Sequence, residues 1–251
     1  MTPPKHNHPE QSCRQLVGSV AIIAAIDNGA IPSLVLLAED APLEHLTARL
    51  DNMGVEYVRT TRKDIWRMAR PGPAQDALAL VGRHVHSKAA RLMMECGPVW
   101  LLSGVSYPSN VGTIIRGVEV AGAAGIVIDG EFNRPARLRA KRVAMRADRF
   151  LSVLWQSSAD TVAAAHDAGR QVVAIESTGS TYPWELDLTR PSLFVVGGER
   201  HGIPEDVLSV ADEVVRLPCP GFIPSWNVQA AVAAVSMEYL RQSAGATTSP
   251  G

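Results

Sequence analysis

The sequence predicts an α/β protein in two units: a small one over residues 15–85, and a larger one over 99–242 built on a parallel sheet. Three observations carry this. Between 15 and 85, apolar runs of strand length alternate with helical patterns in a short α/β succession. Beyond 99 the alternation of strand and helix is longer and regular, as in a parallel sheet covered on both faces. Between them residues 86–98 read as a linker with some helical character, closed by Pro98, which ends any helix before the next strand.

In the small unit a helical stretch is expected over 17–27, an apolar strand over 33–37 and a helix over 42–53. A strand at 55–59, a short helix at 63–70 and a strand at 77–81 follow. In the larger unit strands are expected at 99–103, 125–128, 171–176, 193–197 and 213–217, with helices near 111–121, 159–168 and 225–242. Ligands of such sheets sit beyond the carboxyl ends of the strands. The polar, Pro-rich residues 1–14 and the small polar residues 243–251 are read as disordered tails.

Composition narrows the function. With 46% hydrophobic residues the chain can bury a catalytic domain and a small companion. No apolar stretch reaches the roughly 18 residues of a membrane span, and the start lacks a signal peptide's basic and apolar regions, so a cytoplasmic location is expected. Cys13, Cys96 and Cys219 form no CxxC pair and are read as structural thiols. His84 and His86 share one strand face, but two ligands without a third make no metal site, and exposed strand-edge histidines are expected. A formal net charge of −1 excludes a globally basic nucleic-acid binder. One local patch exists: Arg134, Arg137, Arg139, Lys141, Arg142, Arg146 and Arg149 stand against Asp148 alone, either a solvated helix face or a phosphate-binding surface.

Three segments carry candidate chemistry. In the first, Asn110-Val111-Gly112 leads to Arg116 where a strand gives way to a helix; Asn110 suits an N-cap, and Arg116 lies about a turn and a half further on. In the second, an apolar strand runs into Gly197, Gly198 and Glu199, then Gly202; glycine here permits positive φ and close approach of a ligand to the backbone. A turn that merely needs glycine explains the same residues. The spacing is not the GxGxxG of a dinucleotide fold, which argues against a nicotinamide-dependent dehydrogenase. The third runs from Leu217-Pro218 through Gly221 to Ser225-Trp226-Asn227-Val228, a loop rich in proline and glycine. Ser225 suits a cap, and Asn227 inside the first turn is an odd structural choice. The small apolar residues that follow suit a tightly packed helix, within the domain or against another subunit.

In this order the segments resemble the three signature motifs of the SpoU/TrmH group of the SPOUT superfamily: N-x-G-x-x-x-R, an apolar strand with G-x-E-x-x-G, and I/L-P-x-x-G-x-x-x-S-L-N-V. The resemblance runs over most of 99–241. It implies a trefoil-knotted SPOUT methyltransferase domain with a parallel sheet, working as a homodimer through the knotted domain. The small unit is similar to the L30e-like α/β domain that many members carry as an RNA substrate-binding module. The implied activity is S-adenosylmethionine-dependent methylation of a ribose 2′-hydroxyl in structured RNA, ribosomal RNA before transfer RNA. By that resemblance Gly197, Gly202, Leu217, Pro218 and Trp226 hold the cofactor, and Asn110, Glu199, Ser225 and Asn227 shape the site. Arg116 acts on the RNA, whose phosphates meet Arg134, Arg137, Arg139, Lys141, Arg142 and Arg146. Two departures stand out: Trp226 replaces the usual Leu, and Ala144-Met145-Arg146-Ala147 stands where many relatives carry S-M-G-A.

A ribose hydroxyl must lose its proton as the new bond forms, and a guanidinium, which keeps its proton at any ordinary pH, is a poor base. Arg116 is therefore expected to grip the neighbouring phosphate and stabilise the developing alkoxide, with phosphate or solvent taking the proton and no metal required. The alternative class is a non-catalytic RNA-binding protein that keeps the knotted fold.

Overall fold

The computed structural model describes residues 14–69, 73–82, 85 and 88–246. The readings placed on Cys13, His84 and His86, and on the outer tails, fall outside the described residues. The chain forms two compact units that meet in sequence after residue 84.

The first unit contains β1 (Arg14–Val17), α1 (Ser19–Asp27), β2 (Pro32–Ala38), α2 (Glu44–Asn52), β3 (Val58–Thr60), α3 (Arg62–Met68) and β4 (Ala77–Val81). Its sheet has the order β1-β4-β2-β3, with β4 antiparallel to both neighbours and β2 parallel to β3. Helical character was expected to begin at 17; instead residues 14–17 pair with β4 as an edge strand and the chain turns at Gly18, at φ +92°. The turn is fixed by Asp76, whose carboxylate accepts from the Ser19 amide at 2.9 Å and the Ser19 hydroxyl at 2.5 Å. Ile22, Leu36, Leu37, Leu46, Leu50, Ile65 and Leu78 close the core between sheet and helices.

The second unit contains α4 (Ala89–Leu92), β5 (Val99–Ser103), α5 (Pro108–Val120), β6 (Gly125–Asp129), α6 (Arg134–Val143), β7 (Ser152–Trp155), α7 (Ser158–Asp167), β8 (Gln171–Ile175), β9 (Ser192–Gly197), α8 (Glu205–Leu208), β10 (Glu213–Val215) and α9 (Val228–Ala246). Its six strands run parallel in the order β10-β8-β9-β5-β6-β7. Every residue of β5 and β8 is buried, as strands covered on both faces require. One face of the sheet packs against α5 and α9 through Trp100, Leu102, Ile114, Ile115, Val118, Phe194, Val232 and Val235; the other packs against α7 through Leu101, Val127, Val162, Ala165, Val172 and Val195. β7, α6 and α8 are elements the sequence reading left unassigned, and α9 continues to 246, past the tail boundary expected at 243. Among the described residues no helix is long and apolar enough to cross a membrane.

Arg170 is 3% exposed and donates to the carbonyls of Met93 at 2.7 Å, Gly97 at 2.9 Å and Ser192 at 3.2 Å, and to that of Glu95. It ties the segment after α4 to the amino ends of β8 and β9. Burial pulls its pKa down. Cys96 and Cys219 are exposed, which corrects the expectation of structural thiols.

Candidate active site

The register of the central strands builds the site. Ser103 at the end of β5 pairs with Gly197 at the end of β9. The next residues, Gly104 and Gly198, therefore meet just beyond the sheet: a Cβ on Gly198 would stand 2.2 Å from the Gly104 carbonyl oxygen. A Cβ on Gly197 would stand 2.0 Å from the carbonyl carbon of Gly202 and 2.2 Å from the amide nitrogen of Ile203. Gly198 and Gly202 exchange both backbone hydrogen bonds at 3.0 Å, closing a tight hairpin in which Gly202 takes φ +65°. The glycines are needed here because backbone packs against backbone.

Glu199 stands in this hairpin. Its Oε1 accepts from the Asn110 side-chain amide at 2.7 Å, and its Oε2 accepts from the Ser106 amide at 3.0 Å and the Ser106 hydroxyl at 3.2 Å. Asn110 is not the N-cap the sequence suggested. Pro108 occupies the first helical position of α5, Tyr107 precedes it without a side-chain cap, and Asn110 lies buried in the first turn, its amide turned to Glu199. Burial pushes the Glu199 carboxyl up, but the Ser106 amide, the Asn110 side chain, its own backbone N–H and the Ser106 hydroxyl outweigh that and hold it below its ordinary 4.5. The carboxylate is a structural anion at neutral pH, tying the first and second motif segments together.

A cavity of about 760 Å³ opens beyond the carboxyl ends of β8, β9 and β10. Its walls include Ile175, Val196, Leu217 and Val228 as apolar surface, the hairpin from Gly197 to Ile203, and Ser225, Trp226 and Asn227 from the third segment. Pro218 is not part of that wall; its carbonyl accepts from the Trp226 indole N–H at 3.0 Å and so orients the tryptophan. Asn227, not Ser225, immediately precedes α9, and its side-chain oxygen accepts from the Gln229 amide at 2.9 Å. Asn227 is thus the capping residue, rather than a member of the first turn, because helical geometry begins only at Val228. A second cavity of about 520 Å³ lies on the other side of the hairpin, lined by Ser106 and Tyr107 and sharing Gly198, Arg200, His201 and Gly202 with the first.

The family model of the SpoU rRNA Methylase family matches residues 98–237, more than half of the 251 residues. The chain belongs to this family. Among SpoU relatives and neighbours, an uncharacterised tRNA/rRNA methyltransferase of Mycolicibacterium smegmatis is 29% identical over 196 residues, covering 75% of this chain and 62% of its own. This chain thus spans about three fifths of the length of that relative. A 23S rRNA (guanosine-2′-O-)-methyltransferase of Photobacterium profundum is 24% identical over 210 residues, covering 81% and 86%. The fold is shared with an AdoMet-bound rRNA methyltransferase from Sinorhizobium meliloti, at TM-score 0.57 and 24% identity over 91% of this chain and 87% of that one.

The sequence reading of this SpoU chain missed Glu176. It follows β8, lines the larger cavity, and accepts from the Ser177 amide at 2.8 Å and the Ile203 amide at 3.1 Å. A Cβ on Gly202 would meet its Oε2 at 2.5 Å, so carboxylate and hairpin are closely fitted. Its signal was available: a carboxylate at the carboxyl end of a parallel strand.

The SpoU arginine, Arg116, is exposed on α5 and absent from the larger cavity's wall; its Nη1 donates to the Met145 sulfur at 3.0 Å. α5 and α6 approach closely because Gly112 has no side chain: a Cβ there would stand 2.4 Å from the Ala140 carbonyl oxygen. Along α6, Arg137 donates to the Phe132 carbonyl at 3.0 Å and covers the Trp155 ring at 4.3 Å, and Lys141 pairs with Asp148 at 3.5 Å. Arg134, Arg139 and Arg142 are exposed on the same helix. After it, Met145 and Arg146 both take left-handed backbone, at φ 52° and 76°.

Proposed function

We propose that the protein transfers a methyl group from S-adenosylmethionine to a ribose 2′-hydroxyl in structured RNA, ribosomal RNA before transfer RNA. The observation that carries the reading is the larger cavity, walled by the second and third motif segments of a SpoU-family chain and braced to the first by the Asn110–Glu199 bond. Its volume lies within the range of small-ligand sites. Its lining suits an adenosine: apolar side chains for the base, exposed hairpin backbone for polar atoms, and the Glu176 carboxylate. Gly197, Gly202, Leu217 and Trp226 would hold the cofactor, with Pro218 fixing the tryptophan. The bound cofactor supplies an electrophilic methyl group.

The chain's own contribution is positioning, which can supply about 7–11 kcal/mol in favourable cases. Glu199 and Asn110 hold the hairpin at the base of the site, and the second cavity, with the Tyr107 ring and Arg200 at its rim, offers the target nucleotide a place across that hairpin. Arg116 grips the phosphate beside the reacting ribose and steadies the developing alkoxide, leaving the proton to phosphate or solvent. Exposed Phe222, Ile223, Met237 and Leu240, on the third loop and α9, support a homodimer formed through this domain. The same reading gives that domain a trefoil knot and makes the first unit an L30e-like RNA-binding module.

The test is incubation of the protein and labelled S-adenosylmethionine with ribosomal and transfer RNA, followed by nucleoside analysis. Label in 2′-O-methyl nucleosides is expected. Label only in methylated bases rejects the ribose assignment, and RNA binding without label leaves the non-catalytic alternative.

A further inference from the structure

We infer that His201, at the tip of the hairpin between the two cavities, is the first acceptor of the proton that the ribose hydroxyl gives up; this deepens the ribose-methylating reading above and rests on it. With the methyl donor in the larger cavity and the target nucleotide in the second, the reacting oxygen and methyl carbon meet where the two cavities share a wall. The shared residues are Gly198, Arg200, His201 and Gly202. The glycines have no side chain, and a guanidinium keeps its proton at any ordinary pH. An imidazole is the side chain that exchanges a proton near neutrality, and His201 is the one shared residue that has it.

Gly198 and Gly202 exchange both backbone hydrogen bonds, so Glu199, Arg200 and His201 form a three-residue tip. Glu199 is committed to Asn110 and Ser106. Arg200 and His201 are exposed, and among the described residues no hydrogen bond or ion pair holds either. The other ionisable residues around the two spaces border only one of them: Glu176, Glu199 and Cys219 the larger, Tyr107 the second. Glu176 is moreover occupied by the Ser177 and Ile203 amides. As the ribose oxygen bonds to the methyl carbon, the carbon–sulfur bond breaks and its electron pair stays on sulfur. The hydroxyl proton passes to an imidazole nitrogen and from there to water. Charge balances, because the positive charge lost by the sulfonium reappears on the imidazolium. Arg116 keeps its hold on the phosphate, and His201 takes the place of phosphate or solvent as first acceptor.

The experiment compares wild type, His201→Gln and His201→Asn, two amides that cannot take up a proton near neutrality. Single-turnover methyl transfer to ribosomal RNA is followed across the imidazole window of about pH 5 to 8, with nucleoside analysis of the product. Calorimetry with S-adenosylmethionine, binding of fluorescein-labelled single-stranded RNA and thermal melts run alongside. A protonated imidazole cannot accept, so the wild-type rate should fall as pH drops through that window, by about tenfold per unit at its acid end. Both variants should transfer at least about 100-fold more slowly at the alkaline end and lose this slope, with both affinities within about twofold and melting temperatures unchanged. A variant that keeps the wild-type rate or the wild-type slope overturns the inference. A rate loss matched by an equal loss of RNA affinity also overturns it, since His201 would then bind RNA without taking the proton. Should wild type label the ribose while the variants match it, the inference falls and the ribose-methylating reading stands. Wild-type label only in bases, or no label, removes both.

Discussion

The side-chain amide of Asn110 donates to Oε1 of Glu199 at 2.7 Å, joining residues 89 apart in sequence. The bond links the first turn of α5 to the hairpin after β9, and so couples the helix that carries Arg116 to the wall of the larger cavity.

Its stability contribution depends on pH. Glu199 is held below its ordinary 4.5, so the folded chain releases this proton more readily than the unfolded one. The stabilisation is complete above about 4.5 and is lost as pH falls through the lower folded value. Asn110→Ala should remove about 1 kcal/mol at pH 7, reduced from the usual charged hydrogen bond because the carboxylate is partly exposed, and lower the melting temperature by about 2–4 °C. The gap between variant and wild type should narrow in melts below pH 4.5; a gap that widens in acid contradicts the assignment.

Arg116 lies off the wall of the larger cavity. Arg116→Ala should therefore lower methyl transfer by about 100- to 1,000-fold while S-adenosylmethionine affinity stays within about twofold. Calorimetry and a turnover assay read the two halves separately. Loss of cofactor binding would show that Arg116 belongs to the cofactor side.

At Gly197 any Cβ enters the backbone of Gly202 and Ile203. Gly197→Ala should cost about 2 kcal/mol and displace the hairpin, reducing cofactor affinity at least about tenfold. Retained affinity in calorimetry would mean that this hairpin does not form the cofactor wall.

The basic segment should divide by function. Arg137 is committed to the Phe132 carbonyl and the Trp155 ring, so Arg137→Gln should cost about 1 kcal/mol and leave the RNA salt slope unchanged. The double variant Arg139→Gln, Arg142→Gln should do the reverse, flattening the slope by about 1.4 with no change in melting temperature. Equal slopes in the double variant and wild type would move the RNA path elsewhere.

Sedimentation at micromolar concentration should give about twice the 26.9 kDa chain mass. Replacing Met237 and Leu240 on α9 with Glu should shift the protein toward monomer. A wild-type monomer that still methylates RNA would refute the dimer.

The local pattern of the sequence determined a good deal. β5 and β4 fall where the apolar runs put them, and most other elements within a few residues, because burial on both faces writes itself as consecutive apolar residues. The second motif segment was legible because backbone-to-backbone packing demands glycine at 197 and 198, and a left-handed turn favours it at 202. β1 and β7, four residues each at the edges of their sheets, leave too short a pattern to read. Tertiary structure alone decided the rest. The sheet order brings Gly104 against Gly198 and turns Asn110 from an expected helix cap into the partner of Glu199. It sets Glu176 against the hairpin, commits Arg137 to Trp155, and holds Arg146 left-handed beside the residue that contacts Arg116. Periodicity and spacing report what one segment needs for itself, whereas a charge's partner or a strained φ is set by segments tens of residues away that meet only when the sheet closes.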